Sequence, residues 1–158
     1  MLTVTVLAVG KLKEKWMRDA VGEYAKRLGA FCKFSVVEIE EYRLPEHPSL
    51  AQIQKGLETE GKEILKKAGK TPIAALCIEG GQLSSEDFAQ LLEERQQQDS
   101  SLCFVIGGSF GLSEEVKQAA FTRLSMSKMT FPHQLARVML AEQLYRGFSI
   151  SHGGKYHK

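Results

Sequence analysis

The chain has 158 residues, of which 43% are hydrophobic and 25% are charged, as in an ordinary globular domain. A chain of this length forms one domain that folds without disulfides, which excludes collagen-like, disordered and disulfide-scaffold proteins. The formal net charge of +2 is too small for a protein that binds nucleic acid over its whole surface.

The positive charge is concentrated at the two ends of the chain. Residues 128–158 contain five basic side chains and one acidic one, and residues 1–33 contain seven basic and three acidic ones. If the two ends meet in the fold they form one positive surface, and if they do not they are two solvated faces.

No segment resembles an export or membrane sequence. The apolar run over residues 2–9 is too short for a signal peptide and is followed by lysines, and no run approaches the ~18 residues of a membrane span. The cysteines, Cys32, Cys77 and Cys103, have no CxxC spacing, so we expect free thiols and no zinc site. We therefore expect a cytoplasmic protein without a metal.

Strand-like and helix-like segments alternate in the first half of the chain. A strand is predicted over residues 2–9, a helix over 13–28 and a second strand over 34–39. After a loop with two prolines, an amphipathic helix begins at Ser49. The predicted buried face of the first helix consists of Trp16, Ala20, Tyr24 and Leu28.

The alternation continues with a third strand over residues 73–78, which ends before Gly80 and Gly81. Ser84 is the predicted N-cap of the helix that follows, and Phe88, Leu91 and Leu92 are its predicted inward side chains.

The fourth predicted strand, residues 102–106, is apolar throughout, as strands buried on both faces of a parallel sheet are. Ser113 then caps a short helix through Phe121, and a short fifth strand follows over 124–126. Pro132 occupies the first position of a last helix that extends to about residue 148, and residues 149–158 form a polar tail.

This order predicts an α/β fold with a parallel sheet, which binds ligands beyond the carboxyl ends of its strands. Gly107, Gly108 and Gly111 follow the fourth strand, and glycine lets the backbone approach a ligand closely. The loop is not a P-loop, because it ends Gly-Leu-Ser, and its GGxxG spacing is not the dinucleotide fingerprint. At this point a ligand-binding loop and a tight turn without a ligand are equally compatible with the spacing.

The last helix is apolar over most of its circumference and must be covered on more than one side. In so small a domain, a second subunit is a reasonable partner to bury part of this helix. Glu142 and Arg146 then form either a partly buried pair near the interface with that subunit or an ordinary surface pair.

The tail ends with Lys155, Tyr156, His157 and Lys158. An aromatic ring, an imidazole and two cations are groups that stack on bases and hold phosphates, although a chain end of this kind is often frayed.

Three segments together resemble the RlmH family, the ribosomal RNA large-subunit methyltransferases H of the SPOUT (trefoil-knot) class. They are IGGSFGLSEEV (106–116), LSMSKMTFPHQLARVMLAEQLYRGFSI (124–150) and the terminal YHK, and the opening VLAVGKLK and the overall length also fit.

The resemblance implies one SPOUT methyltransferase domain over residues 1–158. It is an α/β/α sandwich with a C-terminal trefoil knot in about 73–148 and a functional tail over 149–158. It also implies a homodimer that uses S-adenosyl-L-methionine to methylate N3 of a pseudouridine in 23S rRNA on assembled ribosomes. By matching positions, the cofactor-binding residues are Leu76, Gly107, Gly108, Ser127, Lys128, Met129, Thr130, Phe131 and Pro132.

Chemical roles can be assigned to five residues of the last helix and the tail. His157 is the expected proton acceptor and Tyr156 stacks on or orients the base. Arg137 and Arg146 hold phosphates or stabilise the developing anion, and Glu142 orients Arg146. The turn at residues 153–155 departs from the proline-containing version of some family members.

Two other interpretations remain open. In one, the chain is a dimeric nucleotide- or phosphate-binding module without catalysis, and its tail is dispensable. In the other, it is an RNA-binding assembly factor that has lost its cofactor, against which the intact glycine loop and the 127–132 segment argue.

Overall fold

A computed structural model describes residues 1–158. Five strands form one sheet in the order β2-β1-β4-β3-β5, and every neighbouring pair is parallel. The predicted single-domain α/β fold with a parallel sheet is therefore confirmed, while the trefoil knot stays a prediction. In chain order the elements are β1 (Thr3–Val9), α1 (Lys15–Leu28), β2 (Lys33–Ile39), α2 (Leu50–Ala68), β3 (Ile73–Gly81), α3 (Ser85–Gln98), β4 (Ser101–Ile106), α4 (Glu114–Ala119), β5 (Thr122–Leu124) and α5 (His133–Ser151).

Helices cover both faces of the sheet. Alternate residues of β4 point to opposite sides, so that Phe104 packs with α1, α3 and α5 while Val105 packs with α2 and α4. Residues 102–106 are all buried, as the apolar run predicts. No helix combines the length and hydropathy needed to span a membrane.

Serine residues cap three helices, and two of these caps, Ser84 and Ser113, are predicted from the sequence. Ser49 forms a capping box with Gln52 at the start of α2. Ser84 accepts a hydrogen bond from the backbone N–H of Asp87, and Ser113 accepts one from the N–H of Val116.

The boundaries differ from prediction at several element ends. β5 lies over Thr122–Leu124 rather than 124–126, because it pairs with β3 two residues earlier than its apolar side chains indicate. Pro132 is the N-cap residue of α5 rather than its first helical residue, and α5 continues to Ser151. α1 begins at Lys15, α4 ends at Ala119, and β3 continues to Gly81.

The predicted buried face of α1 is partly wrong. Trp16 is 56% exposed, whereas Val21 and Leu28 are the buried residues of the helix. Cys32 and Cys103 are buried and Cys77 is half-buried, and all three are free thiols.

β3 and β5 approach each other closely at an irregular stretch of the sheet. Their pairing is interrupted by a register shift in β3 between Leu76 and Gly81. A Cβ on Gly80 would lie 2.7 Å from the backbone carbon of Leu124. Gly80 therefore permits a contact between backbones that no other residue allows.

We expect Gly80→Ala to lower the free energy of unfolding by about 1–3 kcal/mol, because the backbone of β5 must move. The matched control is Gly22→Ala on the exposed side of α1, where a Cβ would have no neighbour within 4 Å. That control should raise stability by roughly 0.5–1 kcal/mol through helix propensity. Urea denaturation followed by circular dichroism measures both, and equal effects would show that the approach of β3 and β5 is not tight.

Candidate functional site

A cavity of about 690 Å³ opens at the carboxyl ends of β3, β4 and β5. Three segments form its walls: residues 76–79 of β3, residues 106–112 after β4, and residues 124–133 except Lys128. The volume is typical of sites for a small molecule or cofactor, and the position is the ligand-binding edge of a parallel sheet.

The glycine loop after β4 forms the floor of this cavity. A Cβ on Gly107 would overlap the carbonyl group of Gly111, and Gly111 itself has a φ of +83°. The Gly111 N–H donates to the Gly108 carbonyl at 3.1 Å, which closes the loop into a tight turn. A Cβ on Gly108 would lie 3.3 Å from Val9 Cγ1, so this position also has little room for a side chain.

The third wall is the segment between β5 and α5. The Ser127 hydroxyl accepts a hydrogen bond from the N–H of Met129 at 3.0 Å, and the Ser125 hydroxyl donates to the Ser127 carbonyl at 2.9 Å. These local bonds order a segment that has no helix or strand of its own. Met129 is 73% exposed, so one wall of the cavity is an uncovered apolar side chain.

Eight of the nine predicted cofactor-binding residues line this cavity, and the exception is Lys128.

The structure adds several lining residues that the sequence analysis did not single out. Lys117 pairs with Glu79 at 2.5 Å at the rim, and this hydrogen bond lowers the pKa of the Glu79 carboxyl. Burial raises the pKa of the neighbouring Cys77 thiol. Phe110 and His133 also line the cavity, and the available signal was their place in the glycine loop after β4 and at the start of α5.

None of the five predicted catalytic residues lines the cavity. Arg137 has a side chain only 3% exposed, and it donates to Glu38 Oε2 at 2.7 Å and to the Gly10 carbonyl at 3.1 Å. Its guanidinium is therefore held by the carboxyl ends of β1 and β2. Arg137 fixes the first turns of α5 to the sheet in this way, and its predicted role at a phosphate or a developing anion stays a prediction.

The other four form one cluster, which we call the tail cluster: Glu142, Arg146, Tyr156 and His157. Arg146 makes a bidentate ion pair with Glu142, with hydrogen bonds of 2.7 and 3.2 Å. The Tyr156 hydroxyl donates to Glu142 at 2.8 Å, and the Arg146 guanidinium lies 4.7 Å from the centre of the Tyr156 ring. The ion pair is thus part of a network and not an isolated surface pair.

Burial and hydrogen bonding shift the pKa of Glu142 in opposite directions. Burial raises the pKa of Glu142, but hydrogen bonds from Arg146 and Tyr156 outweigh it and hold the pKa below its usual value. This stabilises the folded state above the ordinary pKa of a glutamate, and the stabilisation is lost as the pH falls. Burial and hydrogen bonds with Tyr24 and Glu142 raise the pKa of Tyr156.

Both ring nitrogens of His157 are occupied. Arg146 donates to Nδ1 at 3.0 Å, and Nε2 donates to Glu86 Oε1 at 2.7 Å. Nδ1 is therefore the nitrogen that can accept a proton, and its contact with Arg146 must break before His157 can act on a substrate.

The tail packs on the helices of its own chain and is therefore not a frayed end. Tyr156 contacts the edge of the Tyr145 ring with centroids 4.7 Å apart and lies 3.2 Å from the Tyr24 hydroxyl. Along α5, Glu142 is about 9 Å beyond Ala136, the last residue of the cavity wall, at 1.5 Å per residue. Within one chain, the tail cluster and the cavity are therefore separate.

Comparisons with known proteins agree with this architecture. A family described as "Predicted SPOUT methyltransferase" matches residues 2–157. Proteins named "Ribosomal RNA large subunit methyltransferase H" from Ligilactobacillus salivarius and Clostridium acetobutylicum are 48% and 45% identical over 99% of this chain and their own full lengths.

Two solved structures share the fold at low sequence identity. A probable methyltransferase from Bordetella pertussis has a TM-score of 0.59 at 13% identity, over 93% of this chain and 95% of its own. An RNA 2′-O ribose methyltransferase has a TM-score of 0.54 at 15% identity, over 92% of this chain and 56% of its own.

The packing of the tail can be tested by its contribution to stability. Tyr156→Ala should lower the free energy of unfolding by about 1–3 kcal/mol, because it removes a ring contact and two hydrogen bonds. Lys155→Ala, one residue earlier and exposed, should change it by less than about 0.5 kcal/mol. Calorimetric unfolding compares the two, and equal midpoints would show that the tail is frayed in solution.

Proposed function

The chain belongs to the ribosomal RNA large subunit methyltransferase H family of SPOUT methyltransferases, and we propose that it methylates N3 of a pseudouridine in 23S rRNA with S-adenosyl-L-methionine. The cavity at the carboxyl ends of β3, β4 and β5 is the observation that carries the cofactor part of this proposal. The rRNA substrate is supported by the names of the full-length relatives. Assembled ribosomes are the proposed substrate form, and the cytoplasm is therefore the proposed location.

The residues of the cavity fit this cofactor. Its floor is backbone at Gly107 and Gly108, and a side chain at either position would meet Gly111 or Val9 and displace the loop. Leu76, Met129 and Phe131 offer apolar surface for an adenine ring, and Ser127 and Thr130 offer hydroxyl groups. Lys128 is outside the wall and is not part of the proposed site. No group of three or more His, Cys, Asp or Glu side chains is arranged to hold a metal ion.

When bound, S-adenosylmethionine supplies a sulfonium methyl group, and transfer of that methyl to N3 leaves a neutral thioether and releases the N3 proton. His157 accepts that proton at Nδ1 once its contact with Arg146 is broken. Arg146 stabilises the negative charge that develops on the base, and Glu142 orients Arg146 through the bidentate pair. Tyr156 orients the base, and the tail cation Lys158 holds a phosphate.

A homodimer accounts for the separation between the tail cluster and the cavity. In the proposed dimer, the tail cluster of one protomer completes the cavity of its partner. The uncovered apolar side chains Trp16 and Met129, which are 56% and 73% exposed, are surfaces that a partner would cover.

Two non-catalytic alternatives predict different results. A nucleotide- or phosphate-binding module would bind a ligand in the cavity but transfer no methyl group. An assembly factor would bind ribosomes without binding S-adenosylmethionine.

The decisive experiment mixes two variants that are each defective in one part of the proposed site. Gly108→Val should weaken cofactor binding, because a branched side chain would meet Val9 and Glu41 and displace the glycine loop. His157→Ala should bind the cofactor normally but lower methyl transfer by a factor of about 100 or more. Radiolabelled methyl incorporation into large-subunit RNA of ribosomes lacking the modification measures activity, and calorimetry measures cofactor affinity.

Random reassociation of the two variants should restore about a quarter of the wild-type activity, since half of the dimers then carry one intact shared site. If each site were built from a single chain, the mixture would stay as inactive as its components. Thermal unfolding of each variant confirms that it is folded. A wild-type protein that binds the cofactor but transfers no methyl group would favour the binding-module alternative.

A further inference from the structure

Glu86, in the first turn of α3, contacts the proposed proton acceptor, although the methyl transfer proposed for this chain gives it no role. Its Oε1 accepts a hydrogen bond from Nε2 of His157 at 2.7 Å, and the two residues are 71 positions apart in the chain. The side chain of His157 is 28% exposed and that of Glu86 is 62% exposed. A pair so open to solvent adds little to the free energy of unfolding, so its value to the protein lies elsewhere.

The two partners of His157 determine which ring nitrogen carries the proton. A carboxylate only accepts hydrogen bonds, so Nε2, which faces Glu86, must carry a hydrogen. A guanidinium only donates, so Nδ1, 3.0 Å from Arg146, must present its lone pair. The resting ring is therefore neutral, with its proton on Nε2 and its basic site on Nδ1.

Glu86 supplies a negative charge on the side of the ring away from the basic nitrogen. The hydrogen bond from His157 lowers the pKa of the Glu86 carboxyl, and a hydrogen bond from its own backbone N–H lowers it further. The carboxyl is therefore ionised at neutral pH. When Nδ1 takes up a proton the ring becomes a cation, and a carboxylate on the other ring nitrogen both orients the ring and stabilises that cation.

The other charged groups around the ring cannot take this part. On α5, Arg146 is a cation, and the Glu142 carboxylate behind it is already occupied by the bidentate pair and by the Tyr156 hydroxyl. On α1, the Tyr24 hydroxyl lies 3.2 Å from the Tyr156 hydroxyl. Glu86 is therefore the one carboxylate in contact with the imidazole.

The first turn of α3 holds the tail cluster at a second point. The Ser85 hydroxyl donates to Gln143 Oε1 at 2.8 Å, and Gln143 Nε2 donates to Glu142 Oε1 at 2.9 Å. Helix α3 is itself packed on α5 in the core. The Glu86 carboxylate is thus presented by a packed helix and not by the tail, so it stays in place when Arg146 leaves Nδ1.

We propose that Glu86 is a positioning residue for His157, which holds the Nε2–H group throughout the reaction so that Nδ1 faces the substrate. This inference rests on the proposed function and deepens it. As N3 forms its bond to the methyl group, the N3 proton passes to Nδ1, Nε2 keeps its own proton, and the Glu86 carboxylate pairs with the resulting imidazolium. Arg146, released from Nδ1, moves to the negative charge on the base, so one movement frees the base and delivers the guanidinium.

The test compares Glu86→Gln with Asp87→Asn, each alone and combined with His157→Ala. Both substitutions remove one negative charge from the first turn of α3, so their effects on the helix dipole are comparable. Asp87 is exposed, and its hydrogen bond to Ser84 is made by the backbone N–H. Glu86→Gln keeps an oxygen that accepts from Nε2 but removes the charge. Single-turnover rates on ribosomes lacking the modification measure the chemical step, and KM measures the use of ribosomes.

We expect Glu86→Gln to lower the single-turnover rate by about 10-fold or more, while KM and the affinity for S-adenosylmethionine change less than about twofold. Asp87→Asn should match the wild type. In the His157→Ala background, Glu86→Gln should cause no further loss, because a residue that acts through the imidazole has nothing left to act on. An equal loss in both backgrounds would overturn the proposal, as would equal activity of Glu86→Gln and Asp87→Asn.

Nitrogen-15 NMR of the imidazole rings tests the contact itself, without any reaction. The signals of His157 are identified by their absence in His157→Ala, and the neutral ring should show a single form with its proton on Nε2. An imidazole that is not held exchanges between its two tautomers, so a mixture, or a proton on Nδ1, would count against the proposal. A wild-type protein that transfers no methyl group would refute the proposed function, and the step assigned to Glu86 with it. An active wild type beside an equally active Glu86→Gln would overturn this inference alone.

Discussion

Burial of the central strands β1 and β4 on both faces is the constraint on which the rest of the structure depends. Val4 and Val6 of β1 face the helices α1, α3 and α5, while Leu7 and Val9 face α2 and α4. With helices on both faces, the exposed backbone that remains is at the ends of the strands. The cavity opens at the carboxyl ends of β3, β4 and β5, and the glycine loop after β4 forms its floor.

The order of elements was predictable because it depends on local patterns. The apolar run 102–106 and the serine caps at Ser84 and Ser113 each involve residues a few positions apart. β5 was misplaced because it is a short strand at the sheet edge whose pairing with β3 is irregular. The packed tail was missed because Tyr156 bonds to Tyr24, 132 residues earlier, and His157 bonds to Glu86, 71 residues earlier. No local pattern contains such contacts.

The candidate site was predicted in part. The cofactor-binding positions and the catalytic roles were predicted on different grounds. Family resemblance supplied positions in the cofactor segments, and eight of those nine residues line one cavity. The chemical roles came from residue types alone, which carry no information on burial. Arg137 is an example: an arginine near a ligand-binding edge suggests phosphate binding, but in the structure its side chain is buried in an ion pair with Glu38. The tail cluster is a closed network whose proton acceptor is occupied, so its use in catalysis requires a rearrangement that a partner subunit or the ribosome would drive.

The central claim is that three separate segments of the chain hold one S-adenosylmethionine molecule. Hydrogen exchange followed by mass spectrometry, with and without S-adenosylmethionine, tests it most directly. Backbone amides in residues 76–80, 106–112 and 125–132 should exchange more slowly when the ligand is present, while the exposed turns of α1 and α2 should not change. Protection confined to one segment, or protection by ATP or NAD equal to that by S-adenosylmethionine, would contradict the account.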